Sequence, residues 1–272
     1  MAAAARQWDL YRGNFDGCWQ GRSLWYERGT AAALDLSHPS QVIDDTCYDI
    51  RFFDDDTGLW EGYGLKYAPG GKARHPIARA VYNQSDHFWQ FAGVGGQSSL
   101  QILPAAKRFA HEFNFCHGRA RTMLVLIWTE VSSDEPTSPA SRWQLDAVSE
   151  VAFRCQRHQP PEPLRHGVQN SEALLQSLQG WRGEQQVLRP GETGEPSHAA
   201  DVEPFAASAF ACHGLTPGFS DGLICSIPVQ LPSGAFRLEV GCLVAANLFE
   251  RLSVVYGADQ KLQRWERSRY RP

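Results

Sequence analysis

The sequence predicts an all-β protein made of two antiparallel β-barrels in tandem, each preceded by a short helix. Three observations lead to this prediction. Short segments rich in β-branched and aromatic residues recur along the chain and are separated by turns that contain Gly and Asp. A helix followed by Trp-x-Gly occurs twice. The regular alternation of strands with long helices that marks a parallel sheet is missing from the sequence.

Each predicted helix lies at the head of one barrel. The Ala-rich residues 2–11 form the first helix. The second covers residues 171–178, where Ser171 can cap the helix and Gly180 follows its end.

Strands are predicted where apolar and aromatic residues alternate or cluster between turns. In the first half they cover residues 42–53, 80–91 with a turn at 83–86, and 121–129. In the second half they cover residues 236–244, 251–256 and 262–270, with a hairpin turn at 257–260. The aromatic and Gly-rich segment 54–76 is predicted to contain a loop, WEGYG, that can fold over a barrel opening. Polar loops are predicted at 132–141 and 189–204.

The two halves repeat a pair of features. Trp19 and Trp181 each follow a predicted helix and stand two residues before a Gly. Late in each half, a Glu on one strand precedes an Arg on the next strand. The pairs are Glu112 with Arg121, and Glu239 with Arg251. Two related β units explain this repetition better than one large domain does.

A Pro-rich segment separates the repeated halves and is the best candidate for a linker. We therefore predict a first barrel at residues 1–158, a linker at 159–170, and a second, shorter barrel at 171–272.

Composition and charge argue against several classes of protein. With 26 basic and 30 acidic residues, the net charge is −4, so no basic surplus exists to neutralise nucleic-acid phosphates. The longest apolar run, residues 123–128, is much shorter than the ~20 residues of a membrane-spanning helix. Seven Cys without a CxxC motif are typical of reduced thiols. We expect a cytoplasmic protein with no nucleic-acid partner and no membrane span.

A Trp at the start of the first strand, together with an Arg from a late strand, is the layout of lipocalin-like (calycin) barrels. The indole closes one end of the barrel, and the guanidinium packs across it with cation–π character. This layout pairs Trp19 with Arg121, and Trp181 with Arg251. All four side chains can act as such plugs without touching a ligand.

Three stretches carry a resemblance to a known family: FDGCWQGRSLWYERG, FWQFAGVGGQSSLQILPAAKRFAHEFNFCHGRARTMLVLIW and FRLEVGCLVAANLFERLSVVYGADQKL. They resemble an uncharacterised, largely cyanobacterial and plastid-lineage family whose members carry two lipocalin-like barrels. The middle stretch is the most specific, because its Glu strand ends in His-Gly-x-x-Arg. The resemblance implies the fold and supplies no biochemical role. More distantly, such barrels are similar to the lipocalin-type lyases that attach bilins to phycobiliproteins.

An excess of aromatic residues points to a ligand pocket in the first half. The chain has 9 Trp, 8 Tyr and 14 Phe against 2 Met. A pocket lined by rings suits a flat, conjugated or lipophilic ligand, although core packing can also explain each ring separately. The rings that we expect to contact a ligand are Trp25, Trp60, Tyr63 and Trp89.

Two carboxylate–guanidinium pairs are the candidate polar groups. If Glu112 faces the barrel interior, it needs a partner, and Arg121 is the obvious one. Glu112 could instead accept an N–H of a ligand or act as a general acid. Glu239 with Arg251 or Arg237 presents the same alternatives in the second barrel. We include both Glu–Arg pairs among the candidate ligand-binding residues and assign no catalytic residue.

The segment HEFNFCH at residues 111–117 has the composition of a metal site without its geometry. On a strand, six steps of ~3.3 Å place His111 and His117 ~20 Å apart, which is too far for one ion. We predict no metal site, and the sequence identifies no cofactor.

We expect a binding or carrier protein for a small hydrophobic molecule held in a barrel cavity, with tetrapyrrole (bilin) or carotenoid-like pigments as candidates. One alternative is a lyase or isomerase in which Glu112 and Arg121 orient such a ligand, so whether the protein is an enzyme stays open. Another is an assembly or scaffold protein with filled barrels. A pigment-binding protein is a candidate partner. A cavity of ~300 Å³ or more would favour ligand binding over the scaffold.

Overall fold

Two antiparallel β-sheets, one of nine strands and one of six, form most of the protein. The computed structural model describes residues 2–29, 33–83, 87–103, 106–130, 143–157, 160–192 and 194–272. The helix α1 (Ala2–Phe15) precedes the first sheet, and α2 (Ser171–Ser177) precedes the second. The predicted all-β class, with two antiparallel sheets each preceded by a short helix, is confirmed. No helix in the described ranges is both long enough and apolar enough to cross a bilayer.

The nine-stranded sheet is strongly curled. Its strands are β1 (Gly17–Glu27), β2 (Gln41–Phe52), β3 (Thr57–Tyr63), β4 (Lys72–Ala78), β5 (Phe88–Phe91), β6 (Val94–Ser98), β7 (Arg108–His117), β8 (Ala120–Glu130) and β9 (Trp143–Cys155). They are ordered β4-β3-β2-β1-β9-β8-β7-β6-β5, and no ladder joins the edge strands β4 and β5 in the described residues. Side chains from both edges nevertheless line one cavity on the concave face.

The helix α1 covers the free edge of β5. The side-chain amide of Gln7 donates to the carbonyl of Gln90 (3.1 Å) and accepts from the Gln90 backbone N–H (2.8 Å). Asn14 donates to the carbonyl of Phe91 and accepts from the N–H of Gly93, both at 2.8 Å. These amides take the hydrogen bonds that another strand would make, and an edge strand left bare would be open to pairing with another chain.

The six-stranded sheet follows in the second half. Its strands are β10 (Arg182–Leu188), β11 (Ala200–Val202), β12 (Leu223–Ser226), β13 (Phe236–Ala245), β14 (Leu248–Tyr256) and β15 (Leu262–Arg271), in the order β11-β10-β15-β14-β13-β12. One face packs against α2 and the short helix α3 (Ala207–Phe210), where Leu175, Phe205 and Phe210 meet Phe249 and Tyr270. The other face packs against the convex face of the first sheet.

The largest cluster of buried side chains therefore lies between the two sheets and draws on both halves of the chain. Trp89 of β5 stacks on Trp265 of β15, with ring centroids 5.9 Å apart and planes 27° apart. The division into domains at 1–158 and 171–272 stays a prediction.

Two local predictions are wrong. Residues 60–63 of the predicted loop WEGYG belong to the strand β3. The prediction is wrong because a glycine can mark either a turn or a close contact in a strand. A Cβ at Gly62 would overlap the ring of Trp60, so this glycine makes room for a side chain. Residues 80–82 form a turn instead of a strand. The loop predicted at 132–141 and the turn predicted at 84–86 lie outside the described residues.

One buried carboxylate joins three parts of the chain. Asp221, in left-handed backbone (φ 55°) just before β12, accepts from Arg154 Nη2 on β9 at 2.5 Å and from Arg165 Nη2 at 2.7 Å. Arg165 belongs to the Pro-rich segment between the halves. Thr122 on β8 donates a third hydrogen bond at 2.5 Å. Burial opposes ionisation, but Arg154 and Arg165 hold the pKa of Asp221 below its usual value.

We expect Asp221→Asn to lower the free energy of unfolding by about 3–5 kcal/mol, because Arg154 and Arg165 would stay buried without their counter-charge. Asn tolerates left-handed backbone as Asp does, so the substitution isolates the charge. Chemical denaturation measures the loss. Asp56→Asn, which removes an exposed pair with Arg79, is the matched control and should cost less than about 1 kcal/mol. An equally small loss at Asp221 would contradict the assignment.

Candidate functional site

The concave face of the first sheet encloses a cavity of about 360 Å³. Its wall comes from α1, from strands β2 to β8 and from the connection between β4 and β5. The lining residues are Tyr11, Phe15, Tyr48, Ile50, Trp60, His75, Tyr82, Phe88, Gln90, Gly96, Gln97, Glu112 and Arg121. Aromatic rings make most of this wall, and the charged groups Glu112 and Arg121 come from neighbouring strands.

A second cavity of about 300 Å³ adjoins the first and shares Tyr48, Trp60 and His75 with it. Trp60 stacks on His75 with centroids 5.5 Å apart and planes 18° apart, so this pair stands where the two cavities meet. Trp25 and the buried Ser149 lie on the wall of the second cavity. Ser149 Oγ has no hydrogen-bond partner within the described ranges.

Strand alternation explains which side chains reach the cavities. Successive residues of a strand point to opposite faces. On β8, Arg121 lines the first cavity and Met123 and Val125 line the second. The intervening Leu124 and Leu126 belong to the core between the sheets. The concave face of β8 therefore borders both cavities, and its other face packs in the core between the sheets.

Arg121 lies at the base of the first cavity and is almost completely covered, with 1% of its side chain exposed. Its Nε donates to Asn114 Oδ1 at 2.7 Å, and its Nη2 lies 3.7 Å from Glu112 Oε1. The guanidinium carbon stands 4.4 Å from the ring centroid of Phe15 and 5.1 Å from that of Phe153. Its Nη1 has no hydrogen-bond partner among the described residues.

Glu112 is the charged group that reaches the cavity most openly. Its side chain is 23% exposed. Oε1 accepts from Asn114 Nδ2 at 2.9 Å and faces Arg121. In the part of the chain that the structure describes, no hydrogen-bond donor reaches Oε2. One carboxylate oxygen therefore remains available to a ligand.

Three tyrosines surround this carboxylate. Burial, and in addition the charge of Glu112, raises the pKa values of Tyr11, Tyr48 and Tyr82 above the usual tyrosine range. The phenols therefore stay protonated at neutral pH. None of their hydroxyl groups has a hydrogen-bond partner within the described ranges, so all three are available as donors to a ligand.

The structure brings together some of the predicted site residues and separates others. Trp60, Glu112 and Arg121 meet in the first cavity, and Trp25 lines the second. Tyr63 is 42% exposed and lies on neither wall. Trp89 is 0% exposed, because its strand turns it into the core between the sheets. Trp89 is thus a packing residue here.

In the second half, Glu239 and Arg251 form a closed ion pair. Arg251 Nε and Nη2 donate to the two carboxylate oxygens at 2.8 and 2.9 Å, and Ser253 adds a hydrogen bond at 2.6 Å. Arg237 Nε lies 3.0 Å from Glu239. Both oxygens of Glu239 are thus occupied by its own neighbours.

The two predicted Trp–Arg plugs differ in the structure. Trp19 is buried, and the guanidinium carbon of Arg121 lies 5.9 Å from its ring centroid. Arg251 instead lies over Phe210 at 5.8 Å, and within the described residues no cation–π contact joins it to Trp181. The physical reason is that α3 brings Phe210 over β14, a placement that the Trp-x-Gly repeat does not encode.

Sequence reasoning missed Tyr11, Tyr48, Tyr82 and His75 as cavity residues. Tyr48 alternates with the buried Ile50 on β2, so a period of two places both on one face. No comparable signal exists for Tyr11, which reaches the cavity because α1 packs across the curled sheet.

His111, the first residue of the HEFNFCH segment, belongs to a buried polar network between the sheets. Ser98 Oγ accepts from the indole N–H groups of Trp89 (2.9 Å) and Trp265 (3.1 Å) and lies 3.0 Å from His111 Nδ1. Tyr256 Oη lies 3.3 Å from His111 Nε2. Because Ser98 Oγ already accepts two hydrogen bonds, its hydroxyl donates to Nδ1 of His111, which must then be a neutral imidazole. Burial lowers the pKa of His111 to about 3.

No protein-family model matches this sequence, and no curated protein matches it. Among solved structures, the chain is similar to a DUF3598-family protein of unknown function from Nostoc punctiforme. The TM-score is 0.68 at 14% identity, and the alignment covers 97% of this chain and 98% of the other. That likeness shows the fold. A putative outer membrane protein from Bacteroides fragilis aligns at 9% identity over 99% of each chain, with a TM-score of 0.27, which is too low to indicate a shared fold.

The neutral state of His111 gives the fold a pH dependence. In the unfolded chain His titrates near 6.5, whereas the folded pKa is depressed, so the unfolded state binds more protons as the pH falls below 6.5. Between pH 7 and pH 5, this residue alone should reduce the free energy of unfolding by about 2 kcal/mol. His111→Asn should lack this component in urea denaturation, and His38→Asn, at an exposed site, should keep it. Equal pH slopes for wild type and His111→Asn would contradict the assignment.

Proposed function

We propose that the protein binds a small, flat, hydrophobic molecule on the concave face of its first sheet. The observation that carries the proposal is the cavity of about 360 Å³, which has aromatic walls and one partly unsatisfied carboxylate, Glu112. Ligand sites have volumes of roughly 300–1,000 Å³, mostly apolar walls and few polar groups. A scaffold protein with filled interiors would have no need of this volume.

The lining favours a conjugated ligand over a flexible aliphatic one. Tyr82 stacks on Phe88 with centroids 4.1 Å apart, and Trp60 stacks on His75. Flat rings present their faces to other flat π systems at little cost in side-chain entropy. The adjoining cavity beyond Trp60 gives a longer molecule room to extend. Tetrapyrrole and carotenoid-like pigments are the conjugated candidates that the surplus of aromatic residues and the barrel-like fold suggest for this site.

A carrier role is the form of the proposal that the geometry supports best. The candidate polar groups Glu112 and Arg121 are held by Asn114 and by surrounding rings. Such fixed groups orient a ligand, and the described lining of the first cavity contains no Ser, Thr, Cys or Lys side chain that could act as a nucleophile. We therefore assign ligand recognition to this cavity and no covalent catalysis.

The test uses diphenylhexatriene, a conjugated probe without polar groups whose fluorescence rises in apolar surroundings. We expect saturable binding to the wild type and about tenfold weaker binding to Trp60→Leu, because the variant loses a wall ring and its stacking energy. Trp181→Leu removes the same residue type far from the cavity and should bind as the wild type does. Biliverdin, haem and a carotenoid should in turn quench tryptophan fluorescence.

Two results would contradict the proposal. One is the absence of saturable binding by the probe and all three pigments. The other is equal binding by Trp60→Leu and the wild type, which would place the site elsewhere.

A further inference from the structure

We infer that the part of the ligand that faces Glu112 is electrically neutral and presents an N–H donor beside a carbonyl acceptor, as a planar lactam does. This inference rests on the proposed function and specifies the chemistry of the same cavity. The observations that carry it are the free oxygen of Glu112, the concealment of Arg121, and the unpartnered tyrosine hydroxyls around them.

The free oxygen of Glu112 calls for a donor. Asn114 and Arg121 both approach Oε1, at 2.9 and 3.7 Å, and leave Oε2 without a partner in the described residues. A carboxylate in an aromatic-walled cavity is stabilised by each further hydrogen bond that it accepts. A ligand N–H directed at Oε2 supplies the missing bond.

The concealment of Arg121 argues against an anionic ligand. Its side chain is 1% exposed. The ring centroids of Phe15 and Phe153 lie 4.4 and 5.1 Å from its guanidinium carbon. A ligand anion would therefore meet the more exposed Glu112 carboxylate before it could reach a cation. Like charges so close together in a poorly solvated site repel strongly.

The same pair argues against a cationic ligand. Arg121 lies 3.7 Å from Glu112 and already compensates its charge. A ligand cation at Oε2 would add a second positive charge beside Arg121 and would lose its own hydration on entry. A neutral N–H donor gains the hydrogen bond without that penalty.

The tyrosine hydroxyls account for the carbonyl. Tyr11, Tyr48 and Tyr82 line the same cavity as Glu112, and their hydroxyls have no acceptor in the described ranges. A ligand oxygen next to the N–H would accept from them. An N–H and a C=O on adjacent ring atoms define a lactam edge, and the stacked rings of the wall select a flat one.

The test compares phenanthridinone, a planar fluorescent lactam, with N-methylphenanthridinone, which differs only by replacement of the N–H. We expect the wild type to bind the N–H form at least about tenfold more tightly, because a hydrogen bond to a charged acceptor is lost in the other. Glu112→Gln should reduce this preference to about threefold or less. Glu184→Gln, on an exposed position of β10, is the matched control and should retain it.

The wild-type comparison needs no variant, so it decides the inference even if Glu112→Gln folds poorly. Equal affinities for the two lactams, or binding of diphenylhexatriene with no binding of either lactam, would overturn the inference and leave the proposed function standing. Tighter binding of N-methylphenanthridinium or phenanthrene carboxylate than of the neutral lactam would also overturn it. Failure of every probe, diphenylhexatriene included, would overturn both.

Discussion

The junction between the two sheets is built around a buried carboxylate, Asp221, that faces two arginines. Asp221 joins Arg154 of the first sheet and Arg165 of the Pro-rich segment at 2.5 and 2.7 Å. The adjacent Ser220 donates from both its N–H and its hydroxyl to Glu150 on β9. These bonds fix the turn before β12 on the outer surface of β8 and β9. These bonds hold the six-stranded sheet against the convex face. Moving it away would leave the buried charges of Asp221 and Arg154 without their partners, which is costly.

This placement determines what each face of the first sheet can do. The convex face uses its large rings, Trp89, Phe113 and Trp128 among them, to pack against the second sheet. Its polar atoms are satisfied locally, as in the network around Ser98. In the described ranges, α1 and the connections between β3 and β4 and between β4 and β5 cover the concave face. They leave part of the space inside the nine-stranded curl unfilled. As a result, two cavities with aromatic walls remain on the concave face.

The sequence predicts much of this and fails at identifiable points. The surplus of aromatic residues singles out Trp60, and the Glu112–Arg121 spacing on neighbouring strands pairs those two residues. The structure places all three on the wall of one cavity. Trp89 lies in the core between the two sheets. Alternation separates the two faces of a strand without telling which face a second sheet will cover. The sequence predicts a loop where the structure has the strand that carries Trp60. Gly62 is typical of a turn, but here it leaves space for the ring of Trp60. The contribution of Tyr11 depends on how α1 docks, which no local pattern records.

The attachment of α1 to the sheet has a consequence for the shape of the cavity. Gln7 and Asn14 hold residues 90–93 through side-chain amides, with five hydrogen bonds among the described residues, while every β-ladder of the sheet is made by backbone groups. The helix also carries Trp8, Tyr11 and Phe15 into the same buried cluster as Ile50 and Phe153. Tyr11 and Phe15 line the cavity as well, so the shape of the site depends on a helix contact that no β-ladder makes.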